Sequence, residues 1–183
     1  MKVQRTIFFL LLFFASVGAW AQPPIDYDQP GVVPQPTDDQ LKWLESPDPQ
    51  LAKNKKLVFD FWRIVYEGGH ADEAPKYMRP EYIQHNPNVA SGRDAFIKFF
   101  KEVRKPVEVQ PFIKQSLISI VAEGDIVILT FVRPVTHPTK PGKTFAMTWF
   151  DKFRIEDGRI AEHWDPAEVW LNGAPPGVEY FPK

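Results

Sequence analysis

The chain of 183 residues contains no cysteine. That absence excludes disulfides, thiol nucleophiles and thiolate metal sites, and it is compatible with an oxidising compartment. Charge of either sign is not in surplus, since 22 Lys and Arg stand against 23 Asp and Glu. Without a basic excess, no nucleic acid is expected as a partner. Nor is there a GxGxxG between strand and helix, a P-loop or a GxSxG. His70, His85, His137 and His163 are the groups that titrate near neutrality. They show no HxH or HExxH spacing, so no metal and no cofactor are expected. Aromatic residues, by contrast, are plentiful. Fifteen Phe and six Trp suit a deep apolar core or an aromatic-lined cavity.

Residues 1–21 read as a signal peptide. Lys2 and Arg5 supply positive charge, residues 7–14 are an unbroken apolar run, and Ala19-Trp20-Ala21 presents small residues to a peptidase. The run is far shorter than the about 20 residues that cross a bilayer. Cleavage is expected after Ala21, giving a periplasmic or secreted protein with no stable membrane insertion. Residues 22–49 carry seven prolines, whose fixed φ and missing N–H favour an extended arm over any regular element. Residues 50–183 form the remaining domain.

Helical spacing predicts a helix over residues 51–66, with Leu57, Val58, Phe61, Trp62, Ile64 and Val65 on its apolar face, stopped by Gly68-Gly69. A short helix over 72–78 is expected next. Ser91-Gly92-Arg93-Asp94 resembles a capping box with Ser91 as N-cap. Phe96, Phe99, Phe100 and Val103 then follow helical spacing up to Pro106. Beyond it the period becomes 2, predicting strands over 113–121, 126–132, 143–155 and 159–164. Helices followed by a meander define an α+β domain: a curved antiparallel sheet packed on N-terminal helices around a pocket.

Two segments mix polar and apolar residues: Tyr82-Ile83-Gln84-His85-Asn86-Pro87, and the last hairpin from Trp149 to Asp165. If Glu156-Asp157-Gly158 is a three-residue turn, Asp151 faces His163, Trp149 faces Asp165 and Lys152 faces Glu162. If the turn is Asp157-Gly158 alone, Asp151 pairs with Trp164 and Phe153 with Glu162, and the second strand's faces reverse. The first register is preferred, because it matches Lys152 to Glu162 and gathers Asp151, His163 and Asp165. A carboxyl in an apolar pocket is pushed towards neutrality and can shuttle a proton, while a nearby His donates to an oxyanion. The plainer reading is an ion pair of His163 and Asp165 at a strand end. The candidate catalytic residues are Asp165, Asp151, His85 and His163. Tyr82, Trp62, Trp149, Trp164 and His137 are candidate substrate contacts, and for Trp62 and Trp149 a core role competes.

At these residues the chain resembles the SnoaL-like polyketide cyclase group of the nuclear-transport-factor-2-like superfamily. It is most similar to the branch described as predicted aldol-condensation-catalysing enzymes. The motifs are Tyr82-Ile83-Gln84-His85-Asn86-Pro87, Ser91-Gly92-Arg93-Asp94-Ala95-Phe96, and Phe153-Arg154-Ile155-Glu156-Asp157-Gly158-Arg159-Ile160-Ala161-Glu162-His163-Trp164-Asp165, within residues 50–170. The resemblance implies a cone-shaped, cystatin-like roll whose interior is the ligand pocket, and homodimers across the sheet. It also implies that an acidic residue on the final strand, here Asp165, acts as general acid and base without metal or cofactor. Asp151 would line the same cavity, and His85 would enter from the opposite wall to polarise a carbonyl. Pro166 departs from the family, whose strand runs on at this point. The expected function is lyase or isomerase chemistry on a small hydrophobic carbonyl compound; the alternative is a non-catalytic protein holding a hydrophobic small molecule.

Overall fold

Asp48 opens the first long helix, α1 (Pro49–Phe61), in a computed structural model that describes residues 38–137 and 140–166. The expected signal segment, the arm up to residue 37 and everything from residue 167 lie outside the described residues. The Asp48 carboxylate accepts hydrogen bonds from the N–H groups of Gln50 (2.7 Å) and Leu51 (3.4 Å). Pro49 takes the first turn, where no N–H is needed. Part of the arm is nonetheless regular. Residues Asp38–Leu44 form a 3₁₀ helix, and its fully buried Gln40 donates to the carbonyl of Ile113 (2.9 Å) and accepts from its N–H (2.8 Å).

The periodicity over 51–66 continues past Phe61, but in a wider form. Trp62–Glu67 is a π-helix, closed by the Gly68 N–H donating to the Arg63 carbonyl at 3.1 Å. Gly69 follows at φ +72, so close to Lys105 that a Cβ would lie 2.5 Å from its carbonyl oxygen. The expected helix over 72–78 is a shorter 3₁₀ helix, Ala71–Lys76, because Pro75 and the strand starting at Met78 end it. The second long helix, α2 (Arg93–Val103), buries Phe96 and Phe100. Gly92, not Ser91, is its N-cap. The Ser91 hydroxyl instead accepts from the Gln84 N–H at 3.0 Å, tying the loop to the preceding strand.

That strand, β1 (Met78–Gln84), is absent from the sequence expectation. The others are β2 (Leu117–Glu123), β3 (Ile126–Thr136), β4 (Thr144–Glu156) and β5 (Arg159–Trp164), in the order β1-β5-β4-β3-β2. β1 runs parallel to β5, so the expected antiparallel sheet is a curved mixed one. Pro80 is tolerated because β1 is an edge. The helix-facing side carries Val127, Leu129 and Phe131 of β3, with Trp149, Phe153 and Ile155 of β4. These pack on Val58, Phe61, Trp62 and Val65 to form the core.

The last hairpin follows neither expected register throughout. Its turn is Asp157-Gly158, both at positive φ (52° and 69°), as a type I′ turn requires. Glu156 therefore pairs with Arg159 and Ile155 with Ile160. Beyond them Arg154 pairs with Glu162, Phe153 with His163 and Lys152 with Trp164, leaving Ala161 as an extra residue. A β-bulge of this kind puts two residues opposite one and shifts everything after it. The pairing of Lys152 with Glu162 is thus replaced by Arg154 with Glu162, joined by an ion pair of 2.6 Å. The shift from the preferred register is two residues, which leaves the faces unchanged. Asp151 and His163 stay on the helix-facing side.

Candidate functional site

The open end of the sheet, towards α2, holds a cavity of ≈ 140 Å³. One wall is aromatic: Phe61, Trp62 and Tyr66 from the first helix and its π turn, Phe96, Phe99 and Phe100 from α2, and Phe153 from β4. The π turn brings Trp62 and Tyr66 together, their rings stacked at 4.1 Å. The other wall is polar. Alternation along β1 directs Tyr82 and Gln84 inward, and Asn86 continues the same spacing past the strand end. β3 supplies Arg133, β4 supplies Asp151, and the end of β5 supplies His163 and Asp165.

These polar groups form one connected set. The Asn86 N–H donates to Gln84 Oε1 (3.1 Å), and Gln84 Nε2 donates to the Tyr82 hydroxyl (3.0 Å). The amide orientation is thereby set, so His163 Nδ1, 3.1 Å from Gln84 Oε1, is a donor. On its other side His163 Nε2 lies 3.1 Å from Asp151 Oδ1. The His163 ring stacks on Phe153 at 4.6 Å. Arg133 Nη2 donates to Asp151 Oδ2 at 3.3 Å, its guanidinium resting 4.6 Å from the centre of the Trp149 ring. Asp151 is 2% exposed, so these two partners stand where water would otherwise surround its carboxyl.

Asp165 is held differently. Asn86 Nδ2 donates to its Oδ2 at 3.0 Å. Its Oδ1 is buried without a hydrogen-bond partner, the nearest cation being His163 Nδ1 at 3.8 Å. Burial raises its proton affinity above the ordinary carboxylate range; His163 opposes this and the Asp151 charge adds to it. Burial likewise pushes the Tyr82 phenol well above its usual value, reinforced by the charges of Asp165 and Asp151. Tyr82 therefore keeps its proton. Among the described residues, no group of three or more His, Cys, Asp or Glu side chains is placed to hold a metal ion.

Of the nine residues singled out in the sequence, Asp165, Asp151, His163, Tyr82 and Trp62 line the cavity. Four do not. His85 alternates to the outer face, where its ring stacks on Trp164 (4.3 Å, 4° between planes) and its Nε2 meets Glu162 at 2.7 Å. It cannot polarise a carbonyl inside. Trp164 shares that outer face and lies under the Lys152 ammonium, 4.4 Å from the ring centre. His137 is buried beyond the end of β3, where its Nδ1 accepts from the Lys140 N–H at 3.1 Å. Trp149 is a core residue and the platform for Arg133.

The sequence reading missed Tyr66, Gln84, Asn86 and Arg133. Spacing could have found three of them. Tyr82, Gln84 and Asn86 stand two apart, the signature of one strand face. Arg133 continues the inward series Val127, Leu129, Phe131, so a charge at that position had to be doing something other than facing water.

Residues 58–163 match the family model described as the SnoaL-like domain. Comparison with curated proteins finds no match. Among solved structures, the chain is similar to TsrD from Streptomyces laurentii, with 26% identity over 66% of this chain and 90% of that one, TM-score 0.43. A protein described as a candidate polyketide cyclase from Acidithiobacillus ferrooxidans gives 23% identity over 67% and 90%, TM-score 0.47. An LEH-like epoxide hydrolase from M. tuberculosis gives 14% over 62% and 80%, TM-score 0.44.

Proposed function

Because the chain belongs to the SnoaL-like domain family and has a nuclear-transport-factor-2-like fold, we propose that it is a lyase or isomerase. It moves a proton on a small hydrophobic carbonyl compound with its own side chains, using neither metal nor cofactor. The observation that carries this reading is Asp165: a carboxyl raised in proton affinity by burial, with one oxygen tied to Asn86 and the other unpartnered beside an aromatic cavity.

In this reading Asp165 takes a proton from the carbon next to the carbonyl, and the pair of electrons left behind delocalises onto the carbonyl oxygen. The Tyr82 hydroxyl, kept protonated by burial, donates to that oxygen as its charge grows. Asp165 then returns the proton, at the same or another carbon, after any carbon–carbon bond has formed or broken. His163, held between Gln84 and Asp151, keeps its Nδ1 3.8 Å from Asp165 Oδ1. Each of these groups is in place before the ligand arrives, so no reorganisation is needed during the reaction.

The test is exchange of α-hydrogens in heavy water, followed by proton NMR on cyclohexanone as probe. The protein should accelerate exchange, and Asp165→Asn should reduce the acceleration at least about 10²-fold, the usual worth of a general base. Equal exchange by parent and variant would overturn the assignment. Binding of the probe without any exchange would favour the non-catalytic alternative.

A further inference from the structure

We infer that the ligand is a single uncharged ring, alicyclic or aromatic, bearing an oxygen acceptor, and that the walls of the cavity disfavour fused-ring compounds. The inference rests on the carbonyl chemistry proposed above and adds to it a size and a charge. The cavity volume is ≈ 140 Å³. An apolar cavity of about 150 Å³ in a protein interior takes up one benzene, so the space here matches about one six-membered ring.

The walls do not yield easily. Phe96 stacks on Phe100 at 4.1 Å between ring centres, and Phe61 lies 5.8 Å from Phe96. Tyr66 is stacked on Trp62 and stands 5.5 Å from Phe100. A second fused ring would have to break this set of contacts, and overpacking of such a site costs about 1–3 kcal/mol.

The polar wall sets the charge and the place of the acceptor. Arg133, Asp151, His163, Gln84 and Asn86 are bonded to one another. Beyond those bonds the lining keeps bonding capacity at the Tyr82 hydroxyl, whose oxygen accepts from Gln84 and whose proton is left over, and at the buried Asp165 Oδ1, Arg133 Nε and Trp62 Nε1. Tyr82 is the donor and Asp165 the proton acceptor of the proposed reaction, so the ligand needs an acceptor oxygen within reach of Tyr82. An anionic ligand would meet the Asp165 and Asp151 carboxylates, and the charge of Arg133 is already paired with Asp151.

Calorimetric titration with a graded series decides the matter: cyclohexanone and 2-cyclohexenone with one ring, 1-tetralone with two, anthrone with three, and benzoate as the anionic one-ring probe. The one-ring ketones are expected to bind. Tetralone should bind at least about tenfold more weakly, the equivalent of some 1.4 kcal/mol, and anthrone and benzoate should give no measurable heat. Phe99→Ala, which removes a half-buried ring from the lining, should improve tetralone relative to cyclohexanone. Tetralone or anthrone binding the parent protein as tightly as cyclohexanone overturns the inference, as does no binding by either one-ring ketone. The two readings fail separately. One-ring ketones that bind without α-hydrogen exchange sink the catalytic reading and leave the size limit standing, whereas tetralone that binds as tightly as cyclohexanone and exchanges its α-hydrogens fast does the reverse.

Discussion

Asp165 carries two opposed requirements in one side chain. To take a proton near neutrality it must resist ionisation, and burial supplies that resistance at a cost to the folded state. Its affinity for a proton is higher folded than unfolded. Its contribution to stability is therefore complete below the unfolded carboxylate value of about 3.9 and is lost as pH rises through the folded one. Asp165→Asn, which never charges, is expected to melt higher than the parent at pH 7.5, with the gap closing towards about pH 3.5. A gap of the same size at both pH values would trace it to something other than this ionisation. Tyr82 can be probed on the same scale. Tyr82→Phe keeps the ring and removes the donor, so kcat should fall about 10²-fold with KM little changed. A rise in KM alone would mean that Tyr82 only binds the ligand.

At the scale of elements, β5 separates two kinds of chemistry by alternation. His163 and Asp165 face the cavity; Glu162 and Trp164 face outward with His85. On the outer face Glu162 is held below the usual carboxylate range, first by the hydrogen bond from His85 and then by Arg154. His85→Ala should consequently leave α-hydrogen exchange at the parent rate, while removing one of the groups that keeps Glu162 ionised in acid. Loss of exchange in that variant would show that the outer face reaches the site. Much of this layout could be read from residue order. The apolar spacing of α2 and the alternation of β3 to β5 are local patterns, and local patterns survive without the rest of the fold. Ser91 and His85 were misjudged for a different reason. Both flank β1, a strand with Pro80 in it and an irregular apolar pattern, which exists because β5 offers it a parallel partner. Nothing within seven residues announces a partner some eighty positions away. The register of the last hairpin was hidden likewise, since an extra residue at Ala161 is invisible until the neighbouring strand is present.

On the scale of the whole molecule, the cone-like interior, its aromatic lining and the acidic residues at its polar end were legible, because inward-facing groups on successive strands converge whatever the exact pairing. Arg133 was not. Its partner Asp151 lies eighteen residues away, and only the stacked side chains of Phe131 and Trp149 show how the guanidinium is carried there. We further propose export and pairing of two copies across the sheet, on the N-terminal sequence and the family resemblance. Sequencing of the mature protein from its native host should start at Gln22, and light scattering should give twice the chain mass; a start at Met1 or a single-chain mass would remove the respective statement. The segment ahead of α1 is joined to the core by Gln40. Gln40→Ala leaves the N–H and C=O of the fully buried Ile113 without these partners. It should lower stability by about 1–3 kcal/mol in urea unfolding, without changing the ligand-size preference.

The Gln40 amide grips the backbone of Ile113 in the way a neighbouring strand would, with one bond given and one received. A tether or tug applied ahead of Asp38 would be felt first at that grip, and through it at the stretch leading into β2. Tension on the N-terminal side of this molecule would thus peel the far edge of the sheet before it strained α1 or disturbed the hollow at the opposite margin.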